Sequence, residues 1–341
     1  MCKRFIFLIS IVLVLGLVGN ASAVLVGRWT FDDGTADDSS GNNHHGTFMF
    51  DATTVIDGNI PGLGAGNRVL TLDGTDDYVN CGGGGGGGTW ADFTTNKMTV
   101  ACWLRLPNGY TNDYQPAMAK SGMWQWYRNY NGYGIAFHTT GTDPQYVTYY
   151  PQGDYPHIYL NDGEWHHTAG TFDGVGGTKK FYVDGYYVKE TPVVSGGFAV
   201  STYAVSIGAR LAFANRWQGL LDECYLYDHA LTYKEILALA GRFWAWDPAP
   251  GDGEEDVSLT LGTLTWRAGA NVAATAGHKV YFGTSEALVE ANDVSVYKGA
   301  LDSNSYSGAP MGALSGGVTY YWRINEVNGV DEWPGDVWSF I

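Results

Sequence analysis

From residue 24 onward the chain alternates apolar and polar positions in short runs: Val24 to Phe31, Val69 to Leu72, Met98 to Leu106, Tyr133 to His138, Trp165 to Phe172, Phe181 to Val188 and Ala204 to Ile207. Successive side chains of a strand leave opposite faces, so each run reads as a strand with one face in a core. Turn-forming residues fill the gaps, which predicts an all-β antiparallel sandwich or barrel. One helix stands out, where Thr232 and Glu235 can form a capping box ahead of Ile236, Leu237 and Leu239, and Gly241 ends the run. It is expected to close the first folded unit.

The pattern then breaks. Asp247-Pro248-Ala249-Pro250-Gly251-Asp252-Gly253 marks a boundary, after which strands resume at Leu259 to Trp266, His278 to Phe282, Tyr320 to Val327 and Val337 to Phe340. Two β units are therefore predicted, residues 24–243 and 251–341, joined by a linker at 244–250. They are expected to fold separately, with proteolysis falling first in the proline and glycine stretch. The seven glycines Gly82 to Gly88 cannot hold a sheet strand and are expected to form a mobile surface loop.

Residues 1–23 read as a signal peptide: Lys3 and Arg4, an apolar run from Phe5 to Val18, then Ala21-Ser22-Ala23. The run is too short to span a bilayer, so no membrane insertion is expected after cleavage. Export implies a secreted, extracellular or cell-surface protein. Cys81, Cys102 and Cys224 remain after cleavage, which allows at most one disulfide; Cys102 and Cys224 could equally be inert core thiols. The formal net charge of -16 makes nucleic acid and anionic membranes poor partners.

Several motifs occur in the order found in laminin G-like jelly rolls of the concanavalin A-like lectin and glucanase fold. They are Trp29-Thr30-Phe31-Asp32-Asp33, Asp38 to Gly46, Leu72-Asp73-Gly74-Thr75-Asp76-Asp77-Tyr78-Val79, Met98 to Leu106, Trp165 to Gly174, Tyr182-Val183-Asp184-Gly185, and Gly219 to Glu223 followed by Tyr227 to Leu231. Residues 24–243 thus resemble that family, which implies a two-sheet antiparallel jelly roll. Residues 251–341 resemble a fibronectin type III domain, an immunoglobulin-like sandwich, with Trp266 on an early strand and Leu314 to Tyr320 shaped like a tyrosine corner.

Glycoside hydrolases on the jelly-roll fold carry acids alternating along one strand, and no such run is present; Asp222 and Glu223 are adjacent, so alternation points them to opposite faces. The expectation is a non-enzyme. His44-His45 lies in a turn and His166-His167 on a strand, so neither doublet suits one metal. By resemblance, a structural calcium would bind Asp32 and Asp222 where the first and last strands meet, helped by oxygens of Asp38 to Asn43, with Asp73 and Asp77 as alternatives. The same acids could simply be turn formers. Sugar rings stack on exposed aromatics, which nominates Trp124, Trp126, Tyr127, Tyr130 and Tyr133 as ligand-binding residues, although core filling accounts for the same side chains. The sequence thus reads as a secreted recognition or adhesion protein whose partner is a polysaccharide or glycoprotein glycan. A structural part of a larger cell-surface protein and an accessory domain of a glycan-degrading enzyme are the alternatives.

Overall fold

The computed structural model describes residues 24–341 apart from 86–88, 94, 113, 130–133 and 213–214. The leader at 1–23 and the positions Tyr130 and Tyr133 lie outside the described residues.

The ten-residue strand Gln218–Tyr227 organises the first unit. Met98–Arg105 pairs along one side of it, while Arg68–Asp73 and Leu25–Trp29 share the other. Trp165–Phe172, Thr178–Val183, Tyr186–Pro192 and Thr53–Ile56 complete an eight-stranded antiparallel sheet. A seven-stranded sheet faces it, in the order Tyr146–Tyr149, Gly134–Thr139, Trp124–Asn129, Pro116–Lys120, Val205–Ile207, Tyr78–Asn80 and Thr47–Met49. Their inner faces meet in one core that includes Trp29, Leu72, Cys102, Trp126, Phe172 and Phe181, so the unit is the two-sheet jelly-roll sandwich that the family resemblance implies. Trp126 stacks on Phe181 at 4.7 Å and donates its Nε1–H to Thr168 Oγ1 at 3.1 Å. Gly170 makes room for that indole, because a Cβ there would lie 2.5 Å from the ring.

The helix forms at Tyr233–Leu239 with the Thr232–Glu235 capping box in place, and it packs Ile236 with Ala101, Ala169 and Tyr182 on the outer face of the eight-stranded sheet. Cys81, Cys102 and Cys224 are buried free thiols with no disulfide among them, and they serve as small core residues. The described flanks of the glycine run depart from the expected free loop. Buried Lys120 reaches Gly83 O at 2.6 Å and Asp92 Oδ1 at 3.1 Å, and Thr89 Oγ1 also donates to Gly83 O.

The second unit sets a three-stranded sheet, Trp246–Ala249, Leu264–Arg267 and Ser305–Tyr306, against a four-stranded one, Tyr297–Leu301, His278–Gly283, Tyr320–Asn328 and Asp331–Phe340. Trp266, Trp322, Trp338 and Phe340 fill its core. The Tyr320 hydroxyl accepts the Ser315 N–H at 2.9 Å, the bond that the corner pattern anticipates.

The junction corrects the sequence reading. Residues 246–249, taken as linker, are the edge strand of the second unit, and Pro248 is tolerated because pairing runs through Trp246 and Ala249 on either side of a bulge. Trp246 also packs with Leu237 of the helix, with Tyr186 and with Ala270, which joins the two sandwiches. The Arg267 guanidinium lies over Tyr186 at 4.9 Å, Trp246 at 5.6 Å and Tyr155 at 6.0 Å, while its Nε donates to Asp247 Oδ2 at 2.8 Å. Calorimetry should therefore show both sandwiches unfolding in one transition. Arg267→Ala removes cation–ring contacts worth about 0.5–2 kcal/mol and should split or broaden it. Two separated wild-type transitions, or first proteolytic cleavage within 246–249, would show the units to be independent.

Candidate functional site

Parity in the seven-stranded sheet sends Trp124 and Trp126 inward and Gln125 and Tyr127 outward. Paired residues of antiparallel neighbours share a face. The register therefore lays Tyr146, His138, Gln125, Ala119, Ser206, Asn80 and Thr47 in one row across the outside, with Thr148, Ala136 and Tyr127 in the next. A hairpin, Ala209–Arg210 with Asn215–Arg216, folds back over part of this face: Ser206 Oγ donates to Ala209 O at 2.7 Å, and the Ala212 N–H donates to Ser121 Oγ at 3.3 Å.

Beyond the hairpin two rings stay open, Tyr114 at 53% and Tyr146 at 51% exposure. Tyr114 stacks on the buried Tyr127 ring with centroids 5.8 Å apart, and Tyr146 lies 4.6 Å from the buried His138 ring. Burial lowers the His138 pKa and the Lys179 and Arg210 charges add to it, against a bond to Gln145, so the imidazole is neutral at pH 7. Burial also pushes the Arg210 pKa down, against the Tyr127 and Tyr146 phenols, which push it up. The result is a pair of exposed tyrosine rings, each backed by a buried ring, able to stack on a flat ligand.

Two of the ligand-binding residues named from the sequence, Trp124 and Trp126, are not on this surface. Trp124 and Trp126 are fully buried and Tyr127 is 6% exposed, so the core-filling account holds for the tryptophans, while Tyr127 serves as the floor under Tyr114. The sequence reasoning missed Tyr114 and His138 as site residues.

The acids divide into two groups. Asp222 is fully buried; its Oδ2 accepts from Asn67 Nδ2 at 2.9 Å, and its Oδ1 has no hydrogen-bond partner among the described residues. Burial, with the nearby charges of Glu223 and Asp32, pushes its carboxyl up to about 8 against the Asn67 bond. An orphaned buried oxygen beside two further acids fits a hard divalent cation. Asp38 is already used, since its carboxylate accepts the Arg28, Ser40 and His44 N–H groups at 2.9 Å, which fits the turn-former reading. In the second group, Asp51, Asp76 and Asp77 bring oxygens within 4.8 Å of one another, and Asp51 is a member that the sequence reading did not name. Burial and the Asp51 carboxyl push Asp77 up to about 6.

A bulge between Asp222 and Tyr225 corrects the parity argument for the adjacent acids. Asp222 stands opposite Trp103 of the outer face, yet Glu223 also turns outward, bonding the Tyr225 hydroxyl and pairing with Arg28 at 2.8 Å. His166 bridges Asp184 at 2.7 Å and Asp162 at 3.0 Å, while His167 turns edge-on to Trp103, so the doublet is not brought to one metal.

Residues 73–237 match the laminin G family model described as the concanavalin A-like lectin/glucanases superfamily. Those residues form a lectin/glucanase-like domain. Both exposed tyrosines fall inside the match. No curated protein sequence matches the chain. Among solved structures, domain 4 of AbnA, a GH43 extracellular arabinanase from Geobacillus stearothermophilus in complex with arabinotriose, is 18% identical with a TM-score of 0.48, covering 64% of this chain and 98% of that one. The binding domain of Paraclostridial Mosquitocidal Protein 1 is 13% identical with a TM-score of 0.47, covering 92% and 75%. No helix among the described residues is long and apolar enough to cross a membrane.

The Asp222 environment gives a pH signature for the lectin/glucanase-like domain. A carboxyl raised on folding binds its proton more tightly in the native state, so its stabilisation is complete below the ordinary aspartate range and is lost as pH rises to about 8. In chelator, the melting temperature should fall over that window, and Asp222→Asn, which mimics the neutral acid, should flatten the fall. An unchanged slope in the variant would show that Asp222 does not titrate there.

Proposed function

We propose that this protein is a secreted, non-catalytic recognition module that binds a polysaccharide or glycoprotein glycan through the outer face of the seven-stranded sheet. The observation that carries the reading is the pair of open rings, Tyr114 and Tyr146, each backed by a buried ring, Tyr127 and His138. The leader sequence supports export. The three-plus-four strand arrangement and the Tyr320 bond support a fibronectin type III-like second unit, held rigidly by the Arg267 contacts as a spacer. Calcium, where bound, is held by Asp222 with Asp32, and its role is stability; it would supply the positive charge that the orphaned Asp222 oxygen lacks. Asp222 has no exposed surface and Glu223 is bound to Arg28, which supports the absence of a catalytic carboxylate pair there.

Titration of the purified chain against a glycan panel tests this. Tyr146→Ala and Tyr114→Ala should each weaken binding about three- to tenfold with little change in melting temperature. Trp126→Ala should instead cost about 3–5 kcal/mol of stability, as a core truncation does. Silence across the panel would leave an architectural role, and product release that tracks one acid would establish an enzyme.

A further inference from the structure

We propose a second ligand site on the opposite side of the same sandwich, a cavity that takes one neutral, polyhydroxylated ring such as a terminal sugar residue. It lies between the outer face of the eight-stranded sheet, the C-terminal end of the Tyr233–Leu239 helix and the loop at 61–63, and it encloses about 330 Å³. That is the low end of the range for small-molecule pockets, about 300–1,000 Å³, and it suits a single ring better than a chain. Trp103, Tyr225 and Tyr227 line it from the sheet, and Leu239 and Phe243 from the helix end and the segment after it. This lining is held in place. The Trp103 Nε1–H donates to Leu239 O at 3.3 Å, and the Tyr225 and Tyr227 rings lie within 16° of parallel with centroids 6.2 Å apart.

The chemistry of the wall sets the ligand class. Its two charged groups cancel: Arg28 donates from Nε and Nη2 to the Glu223 carboxylate at 2.8 to 3.0 Å, and its guanidinium lies 5.3 Å from the centre of the Tyr225 ring. An anion would meet Glu223 as well as Arg28 and gain little, and a cation is in the same position. A purely apolar ring would strip water from the ion pair and from the Tyr227 hydroxyl, which has no hydrogen-bond partner among the described residues, and would return no bond. A neutral polyol avoids both penalties. Its C–H faces lie against the aromatic and aliphatic side chains, while its hydroxyls, each a donor and an acceptor, find polar partners in Tyr227, Ser39 and the outer edge of Arg28, whose side chain is 30% exposed. Glu223 is buried and serves to hold Arg28 rather than to meet the ligand.

Ligand-observed NMR titration of the full chain with methyl glucoside, methyl galactoside, the methyl glycoside of galacturonate, glucosamine and cyclohexanol tests the proposal. A neutral methyl glycoside should bind saturably and about fivefold or more tighter than the charged sugars and cyclohexanol. Leu25→Trp, which fills the cavity from the edge strand, should remove that binding with little change in melting temperature, and Tyr227→Phe should weaken it about three- to tenfold. Tyr114→Ala and Tyr146→Ala, on the other face, should leave it unchanged. Glu223→Gln keeps the shape but leaves the charge of Arg28 uncancelled, so the galacturonate glycoside should gain on the neutral ones, a reversal that a merely structural role would not produce. Binding that is lost in Tyr146→Ala and kept in Leu25→Trp would belong to the seven-stranded sheet and overturn the cavity. Cyclohexanol binding as tightly as the sugars would overturn the polyol class. Binding of none of the five probes would overturn the site, whatever the glycan titration of the other face shows.

Discussion

The first sandwich depends on a handover in its Gln218–Tyr227 strand. On one edge the strand pairs through Leu221 with Arg68–Asp73, and from Cys224 onward it pairs with Leu25–Trp29. The handover falls at Asp222 and Glu223, where neither partner pairs, and on the opposite edge the strand bulges against Met98–Arg105 between Asp222 and Tyr225. The gap gathers polar groups that the ends of the two partners can reach: Asn67 bonds Asp222, and Arg28 pairs with Glu223. The first strand is thereby tied to the last, and the sheet closes around a core that neither partner could cover alone.

The same bulge marks the limit of what alternation can tell. Strand positions, the helix with its capping box, and the Tyr320 corner were legible because each depends on local spacing. Parity is also local, but it holds only while the ladder is regular. One inserted residue at Glu223 is enough to bring two neighbouring acids to the same side. The exposed tyrosine pair was illegible for a different reason. Residues 124–127 place aromatics at both parities, so the sequence does not say which face is inside until Trp126 is seen against Phe181. Tyr114 lies outside the strand that carries Tyr127, and the two rings meet only because the chain folds back over that strand.

The junction between the sandwiches was misread on composition. A proline and glycine stretch suits a linker and an edge strand equally, and the difference lies in what the flanking side chains bury. Trp246 reaches back to Leu237 and Tyr186 while Ala245 enters the second core, so the segment is packed on both sides. Arg267 seals that seam with stacked rings and one aspartate, which makes the angle between the sandwiches a consequence of packing.

The distribution of charge completes the account. Many acids sit in turns where the carboxylate accepts a backbone N–H two residues on: Asp33 from Thr35, Asp57 from Asn59, Asp73 from Thr75, Asp162 from Glu164 and Asp293 from Ser295. A sandwich with this many tight turns needs such residues, because they satisfy backbone donors where the ladder stops. The net charge of -16 therefore records how the chain turns more than what it attracts. Sheet faces are spared that demand, since their backbone groups are already paired. The outer face of the seven-stranded sheet is thus free to be neutral along the rows from Tyr146 to Thr47 and from Thr148 to Tyr127.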